Sequence, residues 1–211
     1  AAGQGDIKGG SKLSYQKTPA EYAAFLRDVT DALQGLDDPH IRVINGGLAP
    51  GGTVSCNCGS DGGEPGITAK EFLQAMEQGV PGVFDDLDGW ATHSYPASNE
   101  GYGFFVPYSQ AHTGLTYYEV ELATIGRPNL PVHITETGWR TDEASRQQIA
   151  DWTVQAYTQV WLPDDRVQAI MPFILRGGSG WTNFEWVTGS TRHPVFNAVR
   201  SERCSRISGN C

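Results

Sequence analysis

The chain has 211 residues, 39% of them hydrophobic and 18% charged, which allows one sizeable core or two small ones and excludes wholesale disorder. Its 24 acids against 15 bases leave a net charge of −9, which disfavours nucleic acid and anionic lipid, since both need Lys and Arg to neutralise phosphate. No apolar run approaches the length of a membrane span, so a soluble protein with a neutral ligand is expected, although the same charge excess also serves solubility.

The first ten residues, AAGQGDIKGG, read as a loop and carry neither a signal peptide nor an apolar segment. Thr18-Pro19-Ala20-Glu21 is a capping box with proline at the first helical position. Tyr22, Phe25, Leu26, Val29 and Leu33 then recur at helical spacing, and Gly35 stops the helix. IRVINGG is expected as a short strand, followed by a Gly-rich loop containing Cys56 and Cys58. Thr68-Ala69-Lys70-Glu71 opens a second capped helix, with Phe72, Leu73 and Met76 on one face.

LDGWATHSYP reads as a strand ending in His93 and Tyr95, and the aromatic loop NEGYGFFVPY separates it from a helix around Leu115 to Ile125. VHITE is the next strand, Thr141 is the expected cap of a helix running to about Trp161, and VQAIMPFIL is the last strand. A Gly/Trp loop and a helix near PVFNAVRS close the chain. One helix followed by four strand–helix pairs argues for an α/β fold with a parallel sheet, either doubly wound or a (β/α) barrel. No Gly-x-Gly-x-x-Gly or phosphate loop follows a strand, which lowers the nucleotide-binding alternative.

Four cysteines fall in two close pairs, Cys56/Cys58 and Cys204/Cys211. The even count, with Cys204 and Cys211 closing a short loop, points to disulfides and an extracellular or periplasmic protein; four reduced thiols are the alternative. Cys-x-Cys lacks metal-ligand spacing and no His lies nearby, so no metal and no cofactor are expected.

Strand C-terminal ends and the loops after them are where barrels of this type carry reactive groups. Here they offer Asn45, then His93 and Tyr95, then Glu136, then Arg176 with Trp181 and Trp186 beyond. Flat aromatic rings suit the C–H faces of sugars, though any one of these tryptophans can equally serve core packing, as Trp90 and Trp152 are expected to do.

The segments PAEYAAFLRDVTDAL, IRVINGGLAP, GWATHSYP and PVHITETGW, in this order and spacing, resemble the C-terminal half of a clan A glycoside hydrolase (β/α)8 barrel, its fifth to eighth strands. The resemblance runs from about Tyr15 to Arg200 and is most specific at Ile134-Thr135-Glu136-Thr137-Gly138-Trp139, similar to the seventh strand with its nucleophilic Glu. It implies that Glu136 is the nucleophile, that Tyr95 holds it, and that His93 lines the same subsite. Trp139, Trp181, Trp186 and Asn45 join His93 as expected substrate-binding residues. The implied function is a retaining glycoside hydrolase, or a transglycosylase, acting on a β-linked polysaccharide or oligosaccharide. The alternative is a non-catalytic carbohydrate-binding protein of the same fold.

Retention needs a second carboxyl group about 5 Å away to act as acid and base. The family carries it in an Asn-Glu at the end of the fourth strand, just before the segment that Pro19 to Gly35 resembles, and no such pair stands there. Asn99-Glu100 lies in a loop without a strand before it, and the role is not carried over to it. The eighth strand also departs, reading Phe173-Ile174-Leu175-Arg176 where the family often has Trp. Four strands make half a barrel, whereas a complete one takes about 250 residues. The expected organisation is a loop or leader at 1–17, a half-barrel domain at 18–203 and a disulfide-closed tail at 204–211. The chain is then expected to be the C-terminal part of a longer protein, associating with an N-terminal half or with itself, with no nucleic acid or membrane partner.

Overall fold

The structure, a computed structural model, describes residues 18–49, 68–98, 100–178 and 180–206. The chain divides into two compact units, one holding the described residues up to His93 with Tyr118–His133, the other Ser94–Tyr117 with the described residues from Ile134 onward. The Cys56/Cys58 pair, Cys211 and Asn99 lie outside the described residues, and with them the expected disulfide.

In the first unit, helix α1 (Pro19–Gln34) and helix α2 (Ala69–Gly79) both begin with the expected capping boxes. The Thr18 hydroxyl accepts from Glu21 N at 3.2 Å while the Glu21 carboxylate accepts from Thr18 N at 2.9 Å, and Thr68 and Glu71 repeat the pattern. The buried stripe of α1 is Tyr22, Ala23, Leu26 and Thr30, whereas Phe25, expected on that face, is 62% exposed. The small residues explain the rotation: a Cβ on Gly79 would sit 2.7 Å from the Ala20 Cβ, so the helices meet where neither has bulk. Tyr22 packs on Phe72 at 6.1 Å.

The expected strand IRVINGG is corrected to a single parallel bridge, Ile44 to Gly89. Side chains do the work of a ladder here. Asp88 accepts from Val43 N at 2.8 Å, and the Asn45 amide takes Ala91 N at 2.7 Å and donates to Ala91 O at 2.9 Å, as a neighbouring peptide would. Beyond it, strand β1 (Trp90–His93) is buried along its whole length.

A two-residue hairpin, strands β2 (Ala97–Ser98) and β3 (Gly101–Tyr102), stands in the segment expected to be a plain loop. Helix α3 (Tyr117–Thr124) leads to strand β4 (Val132–Glu136), and β5 (Val167–Ile170) completes a sheet of three parallel strands in the order β1-β4-β5. Four parallel strands and a barrel wall are therefore not what the described residues form; the fold is mixed α/β with a three-stranded parallel sheet. The last strand is shorter than its apolar run because Pro172 has no N–H to give the ladder and the chain turns after Met171.

In the second unit, helix α4 (Arg146–Ala156) is capped by Ser145, which accepts from Gln148 N at 3.2 Å, and not by Thr141. The intervening residues are wound into a turn by Arg140, whose guanidinium grips Asp142. A π-helical turn (Tyr157–Trp161) carries the helix on to Trp161, whose indole donates to Leu115 O at 3.1 Å. A second hairpin, strands β6 (Val187–Thr188) and β7 (Thr191–Arg192), precedes helix α5 (Pro194–Arg206), which packs on α4. Among the described residues no helix is long and apolar enough to cross a membrane.

Candidate active site

Strand β4 reaches its end because Val132 and Ile134 are fully buried and alternate with half-exposed His133 and Thr135. Glu136 comes next, half-buried. The three residues that follow hold the strand end in place. Thr137 donates its hydroxyl to Ser94 O at 2.8 Å, and its carbonyl accepts from Phe173 N at 2.8 Å. A Cβ on Gly138 would come within 2.8 Å of Phe173 O, so only glycine admits the approach of these two main-chain segments. Trp139 is 3% exposed, donates to Gly103 O at 3.0 Å and packs on Phe104 and Trp152. The motif thus clamps the backbone just beyond the half-buried Glu136.

Tyr95 lies two residues beyond the end of β1 and is 8% exposed. Its hydroxyl donates to Glu136 Oε2 at 3.2 Å. Burial pushes the Glu136 carboxyl above the ordinary carboxylate value, and the Tyr95 hydrogen bond opposes that rise. Burial, and then the charge of Glu136, raise the Tyr95 hydroxyl far above its ordinary value, so it remains a donor at any physiological pH. The pair is one ionisable carboxylate and one permanent O–H donor. Such a carboxylate can displace a leaving group from an electrophilic carbon, forming an ester as that group departs with its electron pair, while the hydroxyl holds one carboxylate oxygen in place.

Rings flank Tyr95. Tyr102 and Phe184 stand edge-on to Tyr95 at 6.5 and 6.1 Å, Phe173 lies 5.5 Å from Phe184, and Trp181 lies 5.3 Å from Phe173. Trp181 is 53% exposed, a flat apolar face at the outer end of a continuous row of rings that begins at Tyr95.

The structure therefore brings Tyr95, Glu136 and Trp181 into one unit, and treats the other expected residues differently. Trp139 packs in the interior and offers no face to a ligand. Trp186 is half-buried and lines a shallow recess with Arg146, Asn183 and His193. Asn45 and His93 belong to the first unit. Asn45 is 5% exposed with its amide spent on Ala91, and His93 is 6% exposed, with burial lowering its pKa to about 4. Tyr102, Phe173, Phe184 and Arg140 were not singled out from the sequence. The signal available was Gly101 next to an aromatic, a tight turn in a ring-rich stretch. Among the described residues, no group of three or more His, Cys, Asp or Glu is arranged to hold a metal ion.

No protein-family model matches the chain, and no curated protein matches it. Solved structures that share its fold include two glycoside hydrolases. A GH128 (subgroup II) endo-β-1,3-glucanase from Sorangium cellulosum superposes with a TM-score of 0.58 at 14% identity, over 88% of this chain and 63% of that one. A family 39 glycoside hydrolase from the gut symbiont Bacteroides cellulosilyticus WH2 does so with a TM-score of 0.53 at 19% identity, over 86% of this chain and 37% of that one. The chain thus spans less than two thirds of either protein, and its mixed α/β fold is glycoside hydrolase-like.

Proposed function

We propose that this chain carries the nucleophile side of a retaining glycoside hydrolase, or transglycosylase, acting on a β-linked polysaccharide or oligosaccharide, as part of a clan A (β/α) barrel. The observation that carries the reading is the Tyr95–Glu136 hydrogen bond at the C-terminal end of a parallel strand. The glycoside hydrolase-like fold and the exposed Trp181 face support it.

In this reading Glu136 attacks the anomeric carbon and forms a glycosyl ester, water then hydrolyses the ester, and configuration is retained. Tyr95 donates to the carboxylate while it is charged and holds one oxygen in line. Protonation of the leaving oxygen falls to a second carboxyl group. The exposed Trp181 stacks on a sugar ring. That same exposed face suits the second reading, a non-catalytic carbohydrate-binding protein.

A dinitrophenyl 2-deoxy-2-fluoro-β-glycoside tests between them, because its leaving group needs no proton and fluorine slows hydrolysis of the ester. The expected result is a stoichiometric burst of dinitrophenolate and a mass increase on the peptide containing Glu136, both lost in Glu136→Gln. Binding of β-glucan oligosaccharides without burst or label would establish the second reading. A label elsewhere would remove Glu136 from the chemistry.

A further inference from the structure

The position of the Tyr95 hydroxyl is set by where its ring lies, and nothing in the β1 segment alone decides that. Its ring is flanked edge-on by Phe184 and by Tyr102 at 6.5 Å, the latter on the β2–β3 hairpin. Tyr102 touches Phe184 as well, at 5.9 Å, so the three rings form one interlocked group. Edge-to-face pairs of this kind resist rotation of any one ring, because each hydrogen edge is seated on a neighbour's π face.

Tyr102 is itself held from the other side. The Arg140 guanidinium lies over its ring, 5.7 Å from the centroid. Arg140 grips both oxygens of Asp142, and Asp142 accepts from Asn183 Nδ2 at 3.1 Å, next to Phe184. The hairpin is seated against the same loop: a Cβ on Gly101 would lie 2.7 Å from the Glu143 carboxylate. Arg140, Asp142 and Glu143 all belong to the segment that leaves Glu136. The nucleophile's own loop thus reaches round to the hairpin that flanks the tyrosine that bonds the nucleophile. All of these groups lie in the second unit.

We propose that Tyr102 is a positioning residue: clamped by Arg140, its ring holds the Tyr95 ring in the orientation from which the hydroxyl donates to Glu136. The placement is geometric. Its kinetic consequence rests on the reading of Glu136 as nucleophile.

The test is the titration of the Glu136 carboxyl, followed by carbon NMR in the full chain labelled at glutamate, with Glu136→Gln to assign the signal. Tyr95→Phe removes the donor and sets the reference upward displacement. Tyr102→Leu is expected to move the midpoint in the same direction, by roughly tenfold in proton affinity, because a misaligned hydroxyl stabilises the ionised form less. Tyr102→Phe, which keeps the ring, is expected to restore the wild-type midpoint. In a Tyr95→Phe background, Tyr102→Leu should add nothing, which separates an effect through Tyr95 from a general change in the surroundings. A midpoint unmoved by Tyr102→Leu while Tyr95→Phe moves it would overturn the proposal, as would full additivity of the two.

Should Tyr102→Leu fail to fold, Arg140→Gln decides the matter, since it releases the clamp without deleting any ring. A displacement that vanishes without the Tyr95 hydroxyl supports the proposal, and none, or one that persists, ends it. Absence of a fluoroglycoside label on Glu136 would bear on the catalytic reading alone, since the titration needs no substrate.

Discussion

Tyr95 and Glu136 set each other's protonation state, and that makes a single oxygen testable. Deleting the Tyr95 hydroxyl removes a hydrogen bond that favours the ionised carboxylate, and bonds to charged groups contribute about 1.5–3 kcal/mol. As the proposed nucleophile, Glu136 works only when ionised, so rate is expected to be lost as pH falls through its pKa. Tyr95→Phe is therefore expected to move the acid limb of kcat/KM upward by about 1–2 pH units and to lower kcat more than it raises KM. A pH–rate profile on an activated aryl glycoside checks both; an unmoved limb would show that the bond has no part in the chemistry. At this scale the sequence was informative about position, since Glu136 stands at the end of its strand as expected. It left open the hydrogen bonds of Trp139 and Asn45, whose residue types suit a sugar and whose side chains here bond Gly103 O and Ala91.

Among the elements, β1 and α3 meet through a buried carboxylate. Glu121 on α3 is 1% exposed, accepts from Trp90 Nε1 at 3.0 Å and from Thr92, and buries Oε1 without a partner among the described residues. Burial raises its pKa to about 7 from 4.5, while burial lowers that of His93, at the end of the same strand, to about 4 from 6.5. The two act in opposite senses. Glu121 contributes stability that is present below about 4.5 and lost as pH rises through about 7. His93 contributes stability that is present above 6.5 and lost as pH falls through about 4. Each effect is on the order of 3 kcal/mol at 1.36 kcal/mol per pH unit, and in the native chain they largely cancel. Urea unfolding between pH 4 and 7.5 is expected to show a nearly flat wild type. Glu121→Gln should gain stability with rising pH and His93→Gln should lose it. Parallel pH profiles for all three would refute the assignment. Helix starts are the other lesson at this scale: Thr18→Ala and Thr68→Ala should each lower stability by about 1 kcal/mol in the same measurement, because each removes half of a reciprocal cap.

For the molecule as a whole, the three-stranded sheet ends at β5, and this strand is far less covered than the other edge. All four β1 residues are buried, whereas none of Val167 to Ile170 is, and Met171, Leu175 and Trp181 beyond are 46%, 53% and 53% exposed. An uncovered strand followed by apolar surface is a template for association. Sedimentation is expected to show self-association rising with concentration, and Met171→Lys with Leu175→Lys should return the chain to a monomer. A wild-type chain that sediments as a monomer at every concentration would leave that surface without a pairing role.

What the sequence determined by itself is local: two helix starts, whose caps are closed within three residues, the strand that presents Glu136, and the alternation that makes the fold α/β. These depend on neighbours along the chain, and so they are written in spacing. What only the tertiary structure decided depends on groups far apart in sequence. Asn45 replaces a strand pairing by bonding Ala91, Trp139 turns inward onto Gly103 and Trp152, and Tyr102 is brought to Tyr95 by an arginine from the loop after β4. A side chain's burial and its hydrogen-bond partner are properties of the assembled core, and residue type alone leaves them open.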